Sequence, residues 1–144
     1  MLSKFDLEAF GYYDPNYEED VKRSKSPLDM VKEYTTLSGQ KPDAALYEDL
    51  INEEYEEWVE ERVLTDYERD YYYPENELKE LSDLVYVIYA YTFAKGWDLG
   101  EALVRVHQNN LARMRQEDGS ILRREDGKII KNPNTPKVNL SDLV

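Results

Sequence analysis

Four stretches of the chain show the spacing of apolar and polar residues that is typical of amphipathic helices. Residues that commonly start or end helices bound the first of these stretches. Ser26 and Pro27 are typical of a helix start, and Gly39 is typical of a helix end. Applied along the chain, these signals predict helices over about 27–38, 43–64, 75–95 and 98–114.

The two ends of the chain lack such a period. Residues 1–26 contain Gly11 and Pro15 without regular spacing, so we interpret them as an irregular N-terminal arm. Residues 116–144 contain two Asp-Gly pairs beside short β-prone runs, which predicts a short β-hairpin followed by an extended end. The expected fold is therefore all-α, with one helical domain over 27–115 and a C-terminal tail that packs on it.

The apolar run Leu84–Ala94 makes the third helix the expected centre of this fold. A single antiparallel hairpin of the second and third helices would leave much of this run uncovered. Completing a four-helix bundle by dimerisation of two such hairpins would cover this run. Three tyrosines of the run are expected in the core or at the subunit interface: Tyr86, Tyr89 and Tyr91.

Composition and charge narrow the possible functions. The chain has 144 residues, enough for one domain, and a net charge of −13, which disfavours binding to nucleic acid or to anionic membranes. It contains no Cys and a single His, His107, so thiolate and multi-histidine metal sites are excluded. No run approaches the roughly 20 apolar residues of a membrane span, and the N-terminus shows no apolar signal core. We expect a cytoplasmic protein.

Three glutamates interrupt the apolar stripe of the second helix. At about 100° per residue, Glu54, Glu57 and Glu61 fall on the side occupied by the apolar residues. Those apolar residues are Leu46, Tyr47, Leu50, Ile51, Trp58 and Leu64. Glu61 lies near the predicted helix end, from which it could reach water. Glu54 and Glu57 lie in the middle, where an unpaired buried carboxylate is costly, so they should have a partner.

The third helix carries a matching pair of acids. Glu80 and Asp83 are spaced i, i+3, as Glu54 and Glu57 are, so each pair shares one helix face. An antiparallel register that places Glu57 opposite Glu80 also places Glu54 opposite Asp83, which gathers four carboxylates at one level. Such a group repels itself unless a hard cation lies among its oxygens. An oxygen-only site favours Mg²⁺, with Mn²⁺ as a substitute.

Two other interpretations of these acids are a chance pattern and a di-iron site. Pairs of Glu spaced i, i+3 also occur by chance in any acidic helix, so either pair alone is weak grounds for a site. A di-iron carboxylate bundle would need Glu-x-x-His motifs, but Val104 stands three residues before His107. The di-iron interpretation is therefore excluded.

The order Glu53-Glu54-x-x-Glu57 followed by Glu80-x-x-Asp83 resembles the EExxE…ExxD signature of the all-α NTP pyrophosphatases. The resemblance extends over roughly residues 26–140. It is strongest to the branch of MazG-like and phosphoribosyl-ATP pyrophosphohydrolase-like proteins, many of them small proteins of bacteria and phages. Five successive blocks look like that branch: 26–40, 46–58, 77–99, 106–114 and 124–134.

The resemblance implies an activity and a site. Proteins of this kind hydrolyse a nucleoside triphosphate between the α- and β-phosphates and associate into dimers or tetramers. The implied catalytic metal ligands, which would hold Mg²⁺, are Glu54, Glu57, Glu80 and Asp83. One of these, or Glu53, would accept the proton of the attacking water. The chain departs from the branch at three places, so the preferred base and sugar are not implied: 34–35, 109–113 and 131–135.

The resemblance also implies substrate contacts outside the four acids. Lys79 would contact phosphate, or it would be a surface lysine that balances Glu77 and Glu80. Asn110 and Arg113 are spaced i, i+3 on the fourth helix, and they would contact the substrate or form an exposed polar helix end.

The tail supplies further candidate cations. The excess of Asp and Glu is confined to residues 1–100, whereas 101–144 carry slightly more Lys and Arg than Asp and Glu. Lys128 and Lys131 would close over the phosphates, or they would belong to a solvated hairpin. His107 is expected to be structural rather than catalytic.

Two functional alternatives differ from a general nucleotide pyrophosphohydrolase. One is the same chemistry on phosphoribosyl-ATP in histidine biosynthesis. The other is an acidic binding module without activity, such as a mimic of DNA. That second alternative predicts carboxylates spread over an exposed face, rather than two pairs on mirrored faces that should be buried.

Overall fold

The computed structural model describes residues 25–67 and 69–144, so the expected N-terminal arm lies almost wholly outside the described residues. The described part contains four α-helices: α1 (Pro27–Ser38), α2 (Ala44–Tyr67), α3 (Pro74–Lys95) and α4 (Leu99–Arg113). Short 3₁₀ turns lie at Arg69–Tyr71 and Ser141–Leu143, and no β-strand forms within these residues. None of the described helices combines the length and apolarity that a membrane crossing requires. The predicted all-α class is confirmed for this part of the chain.

Side-chain caps explain where the helices begin. At the start of α1, Ser26 Oγ accepts a hydrogen bond from the Asp29 backbone N–H at 3.2 Å, and the Asp29 carboxylate accepts one from the Ser26 backbone N–H. Asp43 caps α2 through the backbone N–H groups of its first turn, and Asp98 caps α4 in the same way. Three of the four helix starts are thus fixed by residues visible in the sequence.

Glycines explain where two of the helices end. Gly39 and Gly96 follow α1 and α3 with φ angles of 66° and 73°, a left-handed conformation that favours Gly. α2 has no such residue and extends to Tyr67, past the predicted end near residue 64.

α2 and α3 run antiparallel and form the central hairpin. Trp58 of α2 bonds Glu77 at the start of α3, whereas Tyr47 near the other end of α2 shares the core with Ala90 of α3. α1 packs on α3 and buries Val31 completely. The buried hydrophobic residues of the described part are Val31, Tyr47, Val87 and Ala90. Val31, Tyr47 and Ala90 form one cluster, against which Tyr86, Tyr89 and Tyr91 pack.

One apolar stripe of α3 remains exposed. Leu78, Leu81 and Val85 keep 65%, 37% and 49% of their accessible surface, and their spacing places them on one helix face. The described chain therefore covers its central helix only in part.

α4 packs along the C-terminal tail. Asn109 Nδ2 donates to the Pro136 carbonyl at 2.8 Å. The Arg105 guanidinium donates to both carboxylate oxygens of Asp142, at 2.6 and 2.8 Å, and also to Glu101 at 2.8 Å. These bonds hold the last described residues against the helix.

The β-hairpin expected in the tail is reduced to a tight turn with one antiparallel bridge, between Arg123 and Ile129. The Ile130 N–H donates to the Leu122 carbonyl at 2.9 Å, and Gly127 supplies the positive φ of the turn. Beyond the bridge, the Asn132 N–H donates to the last residue of α4 rather than to a second strand. The hairpin therefore does not extend into strands in the described residues.

Candidate metal centre

Three carboxylates meet between α2 and α3. Glu54 and Glu57 lie one turn apart on α2, and Glu80 lies across from them on α3. One carboxylate oxygen from each lies within 4.8 Å of the other two, and we call these three residues the acidic cluster. The Glu80 side chain keeps 12% of its accessible surface, and Glu54 Oε2 is buried with no hydrogen-bond partner among the described residues. The apolar stripe of α2 turns these acids towards α3, because Tyr47 shares their side of the helix and lies in the core.

The acids of this region perturb one another. Burial raises the pKa of Glu54, and the charges of Asp83 and Glu57 raise it further. The pKa of Glu57 is raised first by a hydrogen bond with Glu80 and then by burial. Glu57 therefore lies beside Glu80, as the antiparallel register of the two helices predicts, and Asp83 is near enough to Glu54 for its charge to act on that carboxyl.

Asp83 lies beside the acidic cluster but is bound by a lysine. Lys79 Nζ is 2.9 Å from Asp83 Oδ2 and 3.1 Å from Glu80 Oε1. Hydrogen bonds with both carboxylates raise the pKa of Lys79 above its ordinary value. The structure therefore brings three of the four predicted carboxylates within reach of one ion, and it pairs the fourth with an ammonium group.

Glu77 takes part in a network that the sequence reasoning missed. Its carboxylate oxygens accept hydrogen bonds from Trp58 Nε1 at 3.1 Å and from the Tyr72 hydroxyl at 2.7 Å. The Trp58 ring also contacts the Tyr55 ring and lies under the Arg62 guanidinium, each at a centroid distance of 5.7 Å. An indole on an apolar helix face needs an acceptor for its N–H, and that signal could have pointed to Glu77.

Glu61 lies on the same face of α2 as the acidic cluster. Its side chain is half-buried, so only part of it is accessible to water. α2 continues to Tyr67, and Glu61 Oε2 is buried without a hydrogen-bond partner among the described residues.

The remaining predicted substrate contacts lie on α4 and the tail. Lys131 Nζ donates to Asn110 Oδ1 at 2.7 Å, and Arg113 follows one turn later with its Nε buried and unpartnered among the described residues. Lys128 is exposed beside the tail turn, and His107 is exposed on α4. Within residues 25–67 and 69–144, no hydrogen bond or ion pair joins these side chains to the acidic cluster.

The donor set of the acidic cluster fits a hard divalent cation. All three donors are carboxylate oxygens, the ligands that Mg²⁺ and Mn²⁺ prefer. The buried oxygen of Glu54 fits as well, because a desolvated carboxylate oxygen needs a positive or hydrogen-bonding partner. The cluster could therefore hold a metal ion.

Two comparisons bear on the family of this chain. No family model matches the sequence, and no curated protein matches it. The acidic cluster and the sequence signature that contains it are therefore the grounds for assigning a function.

Proposed function

We propose that the chain is a Mg²⁺-dependent nucleoside triphosphate pyrophosphohydrolase of the all-α, MazG-like type. It would hydrolyse a (d)NTP between the α- and β-phosphates to the (d)NMP and pyrophosphate. The observation that carries this proposal is the acidic cluster, because its three carboxylates come from both halves of the EExxE…ExxD signature. The resemblance of residues 26–140 to the MazG-like branch supports the same activity.

The four acids would hold the cation, which is Mg²⁺ or, as a substitute, Mn²⁺. Glu54, Glu57 and Glu80 already lie together, and Asp83 shares the Lys79 ammonium with Glu80. When bound, Mg²⁺ neutralises phosphate charge and acidifies a water molecule. A cluster carboxylate, or the exposed Glu53, takes the proton of the attacking water. The water oxygen would form a bond to one phosphorus of the α–β bridge, the bond from that phosphorus to the bridging oxygen would break, and the (d)NMP and pyrophosphate would separate.

Polar side chains outside the acidic cluster would bind the phosphates of the substrate. Lys79 contacts the cluster directly. The others lie on α4 and the tail: the neutral donor Asn110 and the cations Arg113, Lys128 and Lys131. We propose that two copies of the chain pair through the exposed stripe of α3, as a dimer or a dimer of dimers. In such an assembly, the tail of a neighbouring subunit can supply cations to each site.

Pyrophosphate release tests the proposed activity. The eight common NTPs and dNTPs are assayed with Mg²⁺, with phosphoribosyl-ATP alongside them, using the natural protein and Glu57→Gln. Glu60→Gln is the matched control, because Glu60 is exposed on the same helix and lies outside the acidic cluster. We expect monophosphate and pyrophosphate from one or a few substrates, unchanged in the control and at least about a hundredfold slower in Glu57→Gln.

Other outcomes would redirect the assignment. Turnover of phosphoribosyl-ATP alone would move the activity to histidine biosynthesis. No release from any substrate by a folded protein would overturn the pyrophosphohydrolase, and the acidic binding module would then be the remaining alternative.

A further inference from the structure

We infer that Lys79 is a displaceable counter-ion of the proposed metal centre, which leaves Glu80 and Asp83 when their oxygens turn to a cation. This inference rests on the proposed function. In this view the Lys79 ammonium competes with the metal ion for the same carboxylates. The evidence is the set of contacts that Lys79 makes in the structure.

The ammonium group occupies the oxygens that a cation would use. Lys79 Nζ donates to both carboxylate oxygens of Glu80, at 3.1 and 3.2 Å, and lies 2.9 Å from Asp83 Oδ2. Glu80 is also one of the three acids that meet within 4.8 Å. A divalent ion among these oxygens would lie a few Å from the ammonium, where like charges repel strongly. The ammonium group and the divalent ion would therefore compete for the carboxylates of Glu80 and Asp83.

Lys79, rather than Glu80, is the group free to move. Its side chain keeps 62% of its accessible surface, whereas that of Glu80 keeps 12%. A lysine carries its charge on a flexible four-carbon stem, so the ammonium can turn to solvent at low cost. Glu80 is held by the packing of α3 against α2.

Lys79 does not make a cation unnecessary. Four carboxylates share this region with one ammonium, and none of the described hydrogen bonds or ion pairs of Lys79 reaches Glu54. Glu54 Oε2 stays buried and unpartnered in the described residues. Lys79 therefore balances the Glu80 and Asp83 side of the region and leaves the Glu54 side for a metal ion.

Titration with Mn²⁺ alone, without nucleotide, tests the competition. The natural protein is compared with Lys79→Gln and Glu54→Gln, and with Lys95→Gln as the control. Lys95 is an exposed lysine near the other end of α3, about 24 Å away along the helix axis, where its Nζ lies over the Trp97 ring. We expect Lys79→Gln to bind Mn²⁺ roughly three- to tenfold more tightly than the natural protein, because Mn²⁺ then no longer has to displace the ion pairs of Lys79. The size of the gain is that expected for exposed ion pairs. Lys95→Gln should match the natural protein, and Glu54→Gln should bind weakly.

The outcomes separate this inference from the proposed function. Equal Mn²⁺ affinity of the natural protein and Lys79→Gln would overturn the inference and leave the metal site standing. No saturable Mn²⁺ binding by the folded natural protein would overturn the proposed function itself.

A second measurement distinguishes displacement from a long-range effect of charge. The lysine ammonium signals are followed by ¹H–¹⁵N NMR during a Mg²⁺ titration, and the Lys79 signal is assigned by its loss in Lys79→Gln. We expect this signal to move towards those of solvated lysines as Mg²⁺ binds, and to stay in place in Glu54→Gln. A Lys79 signal unchanged at saturating Mg²⁺ in the natural protein would overturn the inference.

Discussion

At the scale of single residues, Glu54 links the fold to the proposed chemistry. Burial and the nearby charges of Asp83 and Glu57 raise its pKa above the ordinary value of 4.5. A carboxyl with a raised pKa holds its proton more tightly in the folded protein than in the unfolded chain. Its contribution to stability is therefore fully present below the unfolded pKa and is lost as the pH rises through the folded pKa.

This sign gives a pH dependence for the metal-free protein. We expect its stability to fall over a pH window that opens at about 4.5, the ordinary pKa of a Glu carboxyl, and we expect Glu54→Gln to reduce that fall, because an amide does not ionise. Thermal denaturation in a chelator at several pH values measures it, with Glu60→Gln as the exposed control. The carboxyls whose pKa is lowered, such as Asp142, lose their stabilising effect below about pH 4 and do not affect this window. An unchanged slope in Glu54→Gln would contradict the expectation.

A second residue-scale prediction concerns the connector between α2 and α3. Tyr72→Phe removes the hydroxyl that donates to Glu77 at 2.7 Å, so we expect the free energy of unfolding to fall by about 1–2 kcal/mol. Tyr71→Phe is the control, because Tyr71 keeps 65% of its accessible surface and should change the stability by less than about 0.5 kcal/mol. Urea denaturation measures both variants. Equal stabilities would show that the Glu77 network does not hold the connector.

At the scale of elements, the boundaries that could be predicted are those set by local chemistry. Ser26, Gly39 and Gly96 act on backbone groups within a few residues, so their effect is visible in the sequence. The end of α2 has no such marker, and the helix continues to Tyr67, past the predicted end near residue 64. The tail hairpin could not be predicted in the same way, because its backbone groups bond to distant residues instead of to a second strand. The Asn132 N–H donates to the last residue of α4, and the Ile130 carbonyl accepts from Gln116, which follows α4.

The acidic cluster could be predicted for a related reason. Helical periodicity and one antiparallel register were enough to place Glu57 opposite Glu80. Of the two predicted partners of Lys79, Glu80 is confirmed and Glu77 is wrong. Glu77 lies two residues away and faces another side of α3, whereas the second observed partner, Asp83, lies at i+4. The bond between Trp58 and Glu77 depends on how the two helices pack, and the spacing along either helix does not reveal it.

The capping box of α1 gives an element-scale prediction. Ser26→Ala removes the oxygen that accepts from the Asp29 backbone N–H, so we expect a loss of about 1 kcal/mol in the free energy of unfolding. Amide exchange should become faster across α1, which rests on α3 chiefly through Val31 and the edge-to-face pair of Tyr34 and Tyr86. Ser82→Ala is the control, since that hydroxyl bonds within α3 and caps nothing. Similar exchange in both variants would argue against the cap.

At the scale of the whole molecule, the hydrophobic core is small for a helical domain of this length. Four hydrophobic residues of the described part are buried, while long apolar side chains stay exposed on α3. Burial of such side chains is the main favourable term in folding and in association. A second copy of the central hairpin would cover the stripe formed by Leu78, Leu81 and Val85 and would complete a four-helix bundle.

This proposed pairing predicts how a charge on the stripe changes the assembly. Val85→Glu would place a carboxylate in an apolar interface without a partner, so we expect a shift from dimer to monomer, with the helix content unchanged. Leu37→Glu is the control, because Leu37 lies at the end of α1 and keeps 81% of its accessible surface. Sedimentation velocity over a range of concentrations distinguishes the states. A natural protein that sediments as a single chain of 17.0 kDa throughout would rule out the pairing. Dimers of both variants would place the interface away from Val85, and the cations that complete each site would then have to come from another surface.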